Sequence, residues 1–363
     1  MKTMKKILAA VLALAMILAM TACGGSTAQA PAPAQTAPAS APAASTPAAP
    51  ASSDPLEGLD PINLVLADAV AETESGTQAG MAFAEAIKEK SNGKITIDYK
   101  AGGQLGSHEE MIEAMSLGQL DIARLDFSYV GEYCPGSQLL FLPFLIADYD
   151  HFDKILQSQY IGKMTEELDA YNIHLIDFVS AGFRLLLTKT PITKPEDCKN
   201  ILFRSPGSQI YLDTFSRLGF SPEVISFNEV YTALQSGIVD GTDNSVPVAA
   251  DGEYYKLCPY VCRSNHMFSF TEFCVGTEFW NSLPEAYQTI IEDCIHEECA
   301  KQRVACQGIE NDYYDKMAAD GATITTWDNW DELVNLFTPY WSETTDKIGG
   351  WAPDFVEEVK AML

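Results

Sequence analysis

The feature that most constrains this chain is an alternation of short apolar runs with amphipathic ones, starting at Ile62. "INLVLADAV" (62–70) reads as a strand and loop. "GTQAGMAFAEAIKEKSNGK" reads as a helix, with Met81, Ala84 and Ile87 at helical spacing and a stop at Asn92-Gly93. "KITIDYK" alternates as a second strand. "GGQLGSHEEMIEAMSLGQ" gives a loop, a helix capped by Ser107 with acids in its first turn, and a glycine stop. "LDIARLDFS" is a third strand. A β-α-β-α-β order implies parallel pairing in an open sheet with helices on both faces. The pattern resumes with "IHLIDFVSAGF", "RLLLTK", "NILFRS", "SQIYLDTFSRLG", "SPEVIS", "FNEVYTALQSG" and "IVDGTDN", and "TEFCVGTEFWNSL" reads as a strand leading to a turn. From Pro284 to about Ala319 the spacing predicts one long helix, interrupted by no glycine or proline except Gly308. At ~1.5 Å per residue it would reach ~50 Å, longer than one domain.

The amino terminus lies outside this pattern. Lys2, Lys5 and Lys6 precede an apolar run from Ile7 to Met20, followed by Thr21-Ala22-Cys23. A basic start, a short apolar core and small residues make a secretory signal, too short for a comfortable membrane span. "MTACGG" resembles the lipobox of bacterial lipoproteins, in which the cysteine is lipidated, although Met20 stands where leucine is commonest. That resemblance nominates Cys23 for lipidation. The following stretch is almost wholly Ala, Pro, Ser, Thr and Gln, cannot bury a core, and reads as a disordered tether.

Without residues 1–22 the formal charge falls from −27 to −30, since three lysines and no acids are lost. Such a balance argues against nucleic acid and against anionic lipid as partners. It also makes cations scarce. The six arginines are Arg124, Arg184, Arg204, Arg217, Arg263 and Arg303. Arg204 stands out, because Ile201-Leu202-Phe203 reads as a short strand and Ser205-Pro206-Gly207-Ser208 as a loop closing into a helix start. The end of a strand beside a helix amino terminus favours an anion. A surface pair with Glu196 or Asp197 explains the same arginine on local grounds alone. Eight cysteines besides Cys23 leave disulfides or buried thiols open. Cys258, Cys262, His266 and Cys274 lack a standard zinc spacing. The five histidines are scattered and read as surface or core residues. HExxH, GxSxG, P-loop and GxGxxG motifs are all absent from the sequence.

Several pieces together resemble the extracytoplasmic solute-binding proteins of TRAP transporters, the DctP family. They are "GFR" at 182–184, "PITKPEDCKNILFRSPGS", "RLGFSPEVISFNEVYTALQSGIVDGTDN", the "GGQLGSHEEM" loop and "LGQLDIA". Asn200, Phe220 and Ser245 depart from the usual glycine, alanine and proline. The resemblance implies an α/β, two-domain, periplasmic-binding-protein-like fold with a hinge and a long helix spanning both domains. The expected organisation is a signal peptide at 1–22 and a lipidated cysteine and linker at 23–58. Domain I is expected at 59–182 plus 270–309, and domain II at 183–269 plus 310–363.

The resemblance also implies a non-enzymatic receptor, without cofactor or metal. It is expected to be monomeric and lipid-anchored outside the cytoplasmic membrane, handing a small organic acid to membrane permease subunits. Arg204 falls at the family's carboxylate-binding arginine, Arg184 at an assisting arginine and Asn244 at an amide near the same carboxylate. Phe227 falls at a pocket aromatic. Asp126 and Tyr129 are nominated from the segment after the third strand, and Asp68 from the loop after the first. Guanidinium suits the task because it offers two parallel donors and keeps its proton. Asp126 accepts hydrogen bonds only, which favours sugar hydroxyls over a second carboxylate. A sugar acid such as a hexuronate is therefore the expected ligand. C4-dicarboxylates or oxo acids, and a sensing role with the same fold, are the alternatives.

Overall fold

The computed structural model describes residues 55–363, so Cys23, the signal peptide and most of the linker lie outside the described residues. Ten strands are present among them. They are β1 (Ile62–Asp68), β2 (Ile95–Lys100), β3 (Ile122–Leu125), β4 (His174–Thr188), β5 (Leu202–Ser205), β6 (Ser221–Val224), β7 (Gly241–Ser245), β8 (Tyr260–Arg263), β9 (Phe268–Val275) and β10 (Thr323–Thr326). They form one mixed sheet in the order β2-β1-β3-β9-β4-β7-β5-β6, with β8 beside β4 and β10 beside β8. The expected parallel pairing holds for β1 with β2 and β3, and again for β5 with β6 and β7. Between these two parallel sets run antiparallel strands, which the alternation did not reveal.

β4 is the connector. The sequence reads it as two elements broken near Gly182, but it is a single strand of 15 residues. His174–Phe183 pairs with β9, and Arg184–Thr188 pairs with β7. The register slips between Ser180 and Gly182. Gly182 has φ +72°, and a Cβ there would collide with the Glu310 carboxylate and the Tyr149 hydroxyl. Glycine thus lets the strand bend and continue where another residue would end it.

The long helix is also corrected. It is two helices, Glu285–Cys306 and Glu310–Ala319, separated at Gln307-Gly308-Ile309. Glu310 Oε1 accepts from the Phe183 backbone N–H (2.8 Å) and from the Tyr149 hydroxyl (2.8 Å). The helix break and the bend in β4 are therefore tied together. The stretch after β9 is a helix, Thr277–Ser282, and not a turn.

Helices Ser75–Lys90 and Glu285–Cys306 cover one face of the β1–β3 half. Phe83 and Ile87 meet Val179, Phe273, Ile291 and Ile295 in a dry core. Leu185, Leu187, Val230, Leu234 and Val261 form a separate core in the other half. The carboxyl-terminal helices Trp330–Ile348 and Ala352–Ala361 join the halves. Trp341 Nε1 donates to the Pro143 carbonyl (3.0 Å), and the Tyr340 hydroxyl donates to Asp213 (3.1 Å). All eight cysteines of the described residues are buried free thiols. Burial pushes Cys258 and Cys262 to about 12, so they stay protonated and inert. His266 turns Nδ1 to the Ser264 hydroxyl (2.8 Å). No helix among the described residues is long and apolar enough to cross a membrane.

Candidate functional site

Three of the six arginines converge on one cavity between the halves, although they lie 60 and 20 residues apart in sequence. β3 supplies Arg124, β4 supplies Arg184 and β5 supplies Arg204. The cleft holds about 490 Å³ of atom-free space, part of it open to solvent, and Asp126, Tyr129, Phe227 and Asn244 contribute to its polar and aromatic wall. Of the seven residues nominated from sequence, six line it. Asp68 does not. It lies behind Arg124, accepting from Thr77 Oγ1 (2.9 Å), the Tyr99 hydroxyl (2.7 Å) and Arg124 Nη1 (3.3 Å). Its partner is 56 residues away, so no local signal marks it as a support for that arginine.

The three guanidinium groups differ in their partners. Arg124 is 2% exposed and doubly compensated, by Asp68 and by Glu74 at 2.7 Å. Its Nε also donates to Thr271 Oγ1 (2.7 Å). Gly76 makes room for it, since a Cβ there would collide with the guanidinium. Arg184 is paired with Asp243, donates to Ser269 Oγ (3.2 Å) and lies over the Tyr211 ring at 4.9 Å. Burial pushes the Asp243 carboxyl up, but Arg184 and His266 outweigh it and hold it well below the usual range.

Arg204 is different. It is also only 2% exposed, yet its one hydrogen bond among the described residues runs from Nε to the Ile225 carbonyl (2.9 Å). No carboxylate among the described residues lies within 4.0 Å of it. The surface pair suggested by local sequence does not form. Asp197 instead accepts from the Thr193 and Lys194 backbone at 2.9 and 3.2 Å. Neither Nη group of Arg204 has a hydrogen-bond partner among the described residues, and a buried cation without a counterion is costly. Asn244 is oriented to help. Its Oδ1 accepts from the Ser245 N–H (2.9 Å), leaving the Nδ2 amide free to donate.

Sequence reasoning did not nominate Arg124, Ser269, Thr271 or His108, which also line the cavity. His108, the first residue of helix His108–Ser116, is 5% exposed and lines the cavity. A lone histidine has no spacing signature. The available hint was its place directly after the Ser107 cap, which also holds a capping box with Glu110. Its ring stacks on Tyr129 (5.3 Å between centroids) and approaches Phe227 across the cleft (6.3 Å). The two walls thus approach each other at these two rings.

The family model for bacterial extracellular solute-binding protein, family 7 (DctP), matches residues 66–347. The chain belongs to this family. A C4-dicarboxylate-binding periplasmic protein of Rhodobacter capsulatus is 26% identical over 66% of this chain and 72% of its own. A TRAP periplasmic solute-binding protein from Sulfitobacter sp., solved with bound α-D-taluronate, superposes with a TM-score of 0.77. It is 26% identical, with 82% of this chain and 97% of that one covered. Another from Actinobacillus succinogenes, solved with L-galactonate, gives a TM-score of 0.76 and 27% identity, covering 83% and 99%. The DctP chain is thus a TRAP-type extracellular solute-binding protein with the two-domain fold of that family, and not an enzyme.

Proposed function

We propose that this protein is the extracytoplasmic receptor of a TRAP transporter. It binds a small organic acid, best a sugar acid such as a hexuronate, in the cavity between two lobes and delivers it to the membrane permease. The observation that carries the reading is Arg204, a buried guanidinium whose two Nη groups have no partner among the described residues. A carboxylate accepting from both would satisfy it bidentately. The charges of the wall support a single carboxylate. Arg124 and Arg184 already face Asp68, Glu74 and Asp243, and Asp126 adds an acceptor that repels a second anion. Two relatives above 25% identity were solved with sugar acids, taluronate and galactonate. The name of the Rhodobacter relative favours a C4-dicarboxylate as the second reading.

The lobes correspond to 59–182 plus 270–309 and 183–269 plus 310–363, bending at Gly182 and at the helix break before Glu310. Ligand would be trapped by a hinge closure. Cys23 would carry the lipid, and the linker to residue 58 would hold the receptor above the membrane. Cys23→Ala should move the protein from the membrane fraction to the soluble one, and an unchanged distribution would contradict the anchor.

The test of ligand class is a thermal-shift screen with uronates, aldonates, sialate, dicarboxylates and oxo acids. A ligand at a hundred times its Kd stabilises by ~2.7 kcal/mol. The account expects hydroxylated monoacids to give the largest shifts. A preference for succinate over every sugar acid would replace it with the dicarboxylate reading.

A further inference from the structure

We propose that His108 is a specificity-determining residue, whose imidazole works with the Asp126 carboxylate to recognise the hydroxyl groups of the bound acid. This rests on the reading of the cavity as an acid-binding site with the carboxylate on Arg204.

His108 Nδ1 accepts from the Asp126 backbone N–H at 3.3 Å. A neutral imidazole has one donor and one acceptor nitrogen, so the proton is on Nε2. Burial, acting against the nearby acids, lowers the ring's affinity for a second proton and keeps it neutral. Nε2 has no partner among the described residues, and the ring lines the cavity. Tyr129 stacked at 5.3 Å and Phe227 at 6.3 Å hold the ring's orientation. An unpaired donor at a cavity wall is costly unless a ligand group meets it.

Asp126 is left in the complementary state. Its Oδ1 accepts from the Ser128 N–H (3.0 Å) and hydroxyl (2.7 Å), while Oδ2 has no partner among the described residues. One free N–H donor and one free carboxylate oxygen thus border the same cavity, on residues joined by a direct hydrogen bond. A hydroxyl group can accept from the first and donate to the second. A carboxylate can satisfy only the donor and is repelled by Asp126. A methylene satisfies neither and leaves two buried groups unpaired, which is the strongest known basis for rejecting a deoxygenated analogue.

The test compares two ring acids on the full chain, galacturonate and the hydroxyl-free cyclohexanecarboxylate, for wild type, His108→Phe and His108→Gln. His108→Phe should weaken galacturonate by ~10-fold or more, the equivalent of one lost hydrogen bond, and should not weaken cyclohexanecarboxylate, whose binding improves once the unpaired donor is gone. His108→Gln, which keeps an N–H donor, should recover most of the loss. Nitrogen NMR of labelled histidine should find the proton on Nε2 and show that resonance moving when galacturonate is added. Equal losses for both acids, no loss for either, or an Nε2 signal indifferent to galacturonate would each overturn the inference. Wild-type protein that takes up neither acid would instead defeat the reading of the cavity, and this inference with it.

Discussion

Arg124 and Arg204 invite comparison. Each stands near the end of a short strand, each is 2% exposed, and each lines the same cavity from a different half of the molecule. Arg124 faces two carboxylates, and Arg204 faces none. The lesson is that burial alone does not assign a charged residue its role. A buried cation with protein counterions is part of the scaffold, and one without them is open to a counterion from outside.

The largest expected effect that tests this contrast is on folding. Arg124→Ala leaves Asp68 and Glu74 without their cation and should cost about 3–5 kcal/mol in chemical denaturation. Arg204→Ala strands only the Ile225 carbonyl and should cost roughly 1 kcal/mol. Similar losses for the two variants would erase the distinction.

Glu272 is the anionic counterpart of the unpaired arginine, but it is sealed in the sheet. Both carboxyl oxygens lack partners among the described residues, and its cross-strand neighbours are Leu125 and Phe178. Burial, with Asp126 nearby, pushes its carboxyl well above the ordinary 4.5. A carboxyl raised in the fold contributes stability below its unfolded value and loses it as pH rises toward the folded one. Glu272→Met should therefore stabilise by about 1–4 kcal/mol at neutral pH, and by much less near pH 4. A variant less stable than wild type at pH 8 would assign this acid a partner.

Arg184 with Asp243 is the intermediate case, a paired cation that keeps an unengaged Nη2 on the cavity. Because the Asp243 carboxyl is held below its ordinary 3.8, its contribution is present above that value and lost as pH falls below it. Asp243→Asn should flatten acid unfolding in that window while lowering stability at pH 7. An acid-unfolding profile parallel to that of wild type would contradict the pairing.

Much of this was legible in the sequence where signals are local. The Ser107 cap, the Asn92-Gly93 stop and the alternation in "KITIDYK" each sit within a few residues of the element they define, and the structure places helices and strands there. The β4 bend was not legible, because a glycine in a strand reads as a break until its collision partners, Glu310 and Tyr149, are known. The same holds for the helix break, since Glu310 is held by Phe183, 127 residues earlier. Among the site residues, those carried by a motif (Arg204, Arg184, Asn244, Phe227) reach the cavity. Asp68 and His108 depend on distant partners, so the sequence did not show that the first sits behind Arg124 or that the second lines the cavity.

The most direct test is calorimetric titration of galacturonate into wild type, Arg204→Lys and Arg204→Ala. The account predicts a loss of about 3–5 kcal/mol for Arg204→Ala, a large part of it for the lysine variant, which cannot form two parallel hydrogen bonds, and near wild-type melting for both. Affinity within a few-fold of wild type in Arg204→Ala would contradict it.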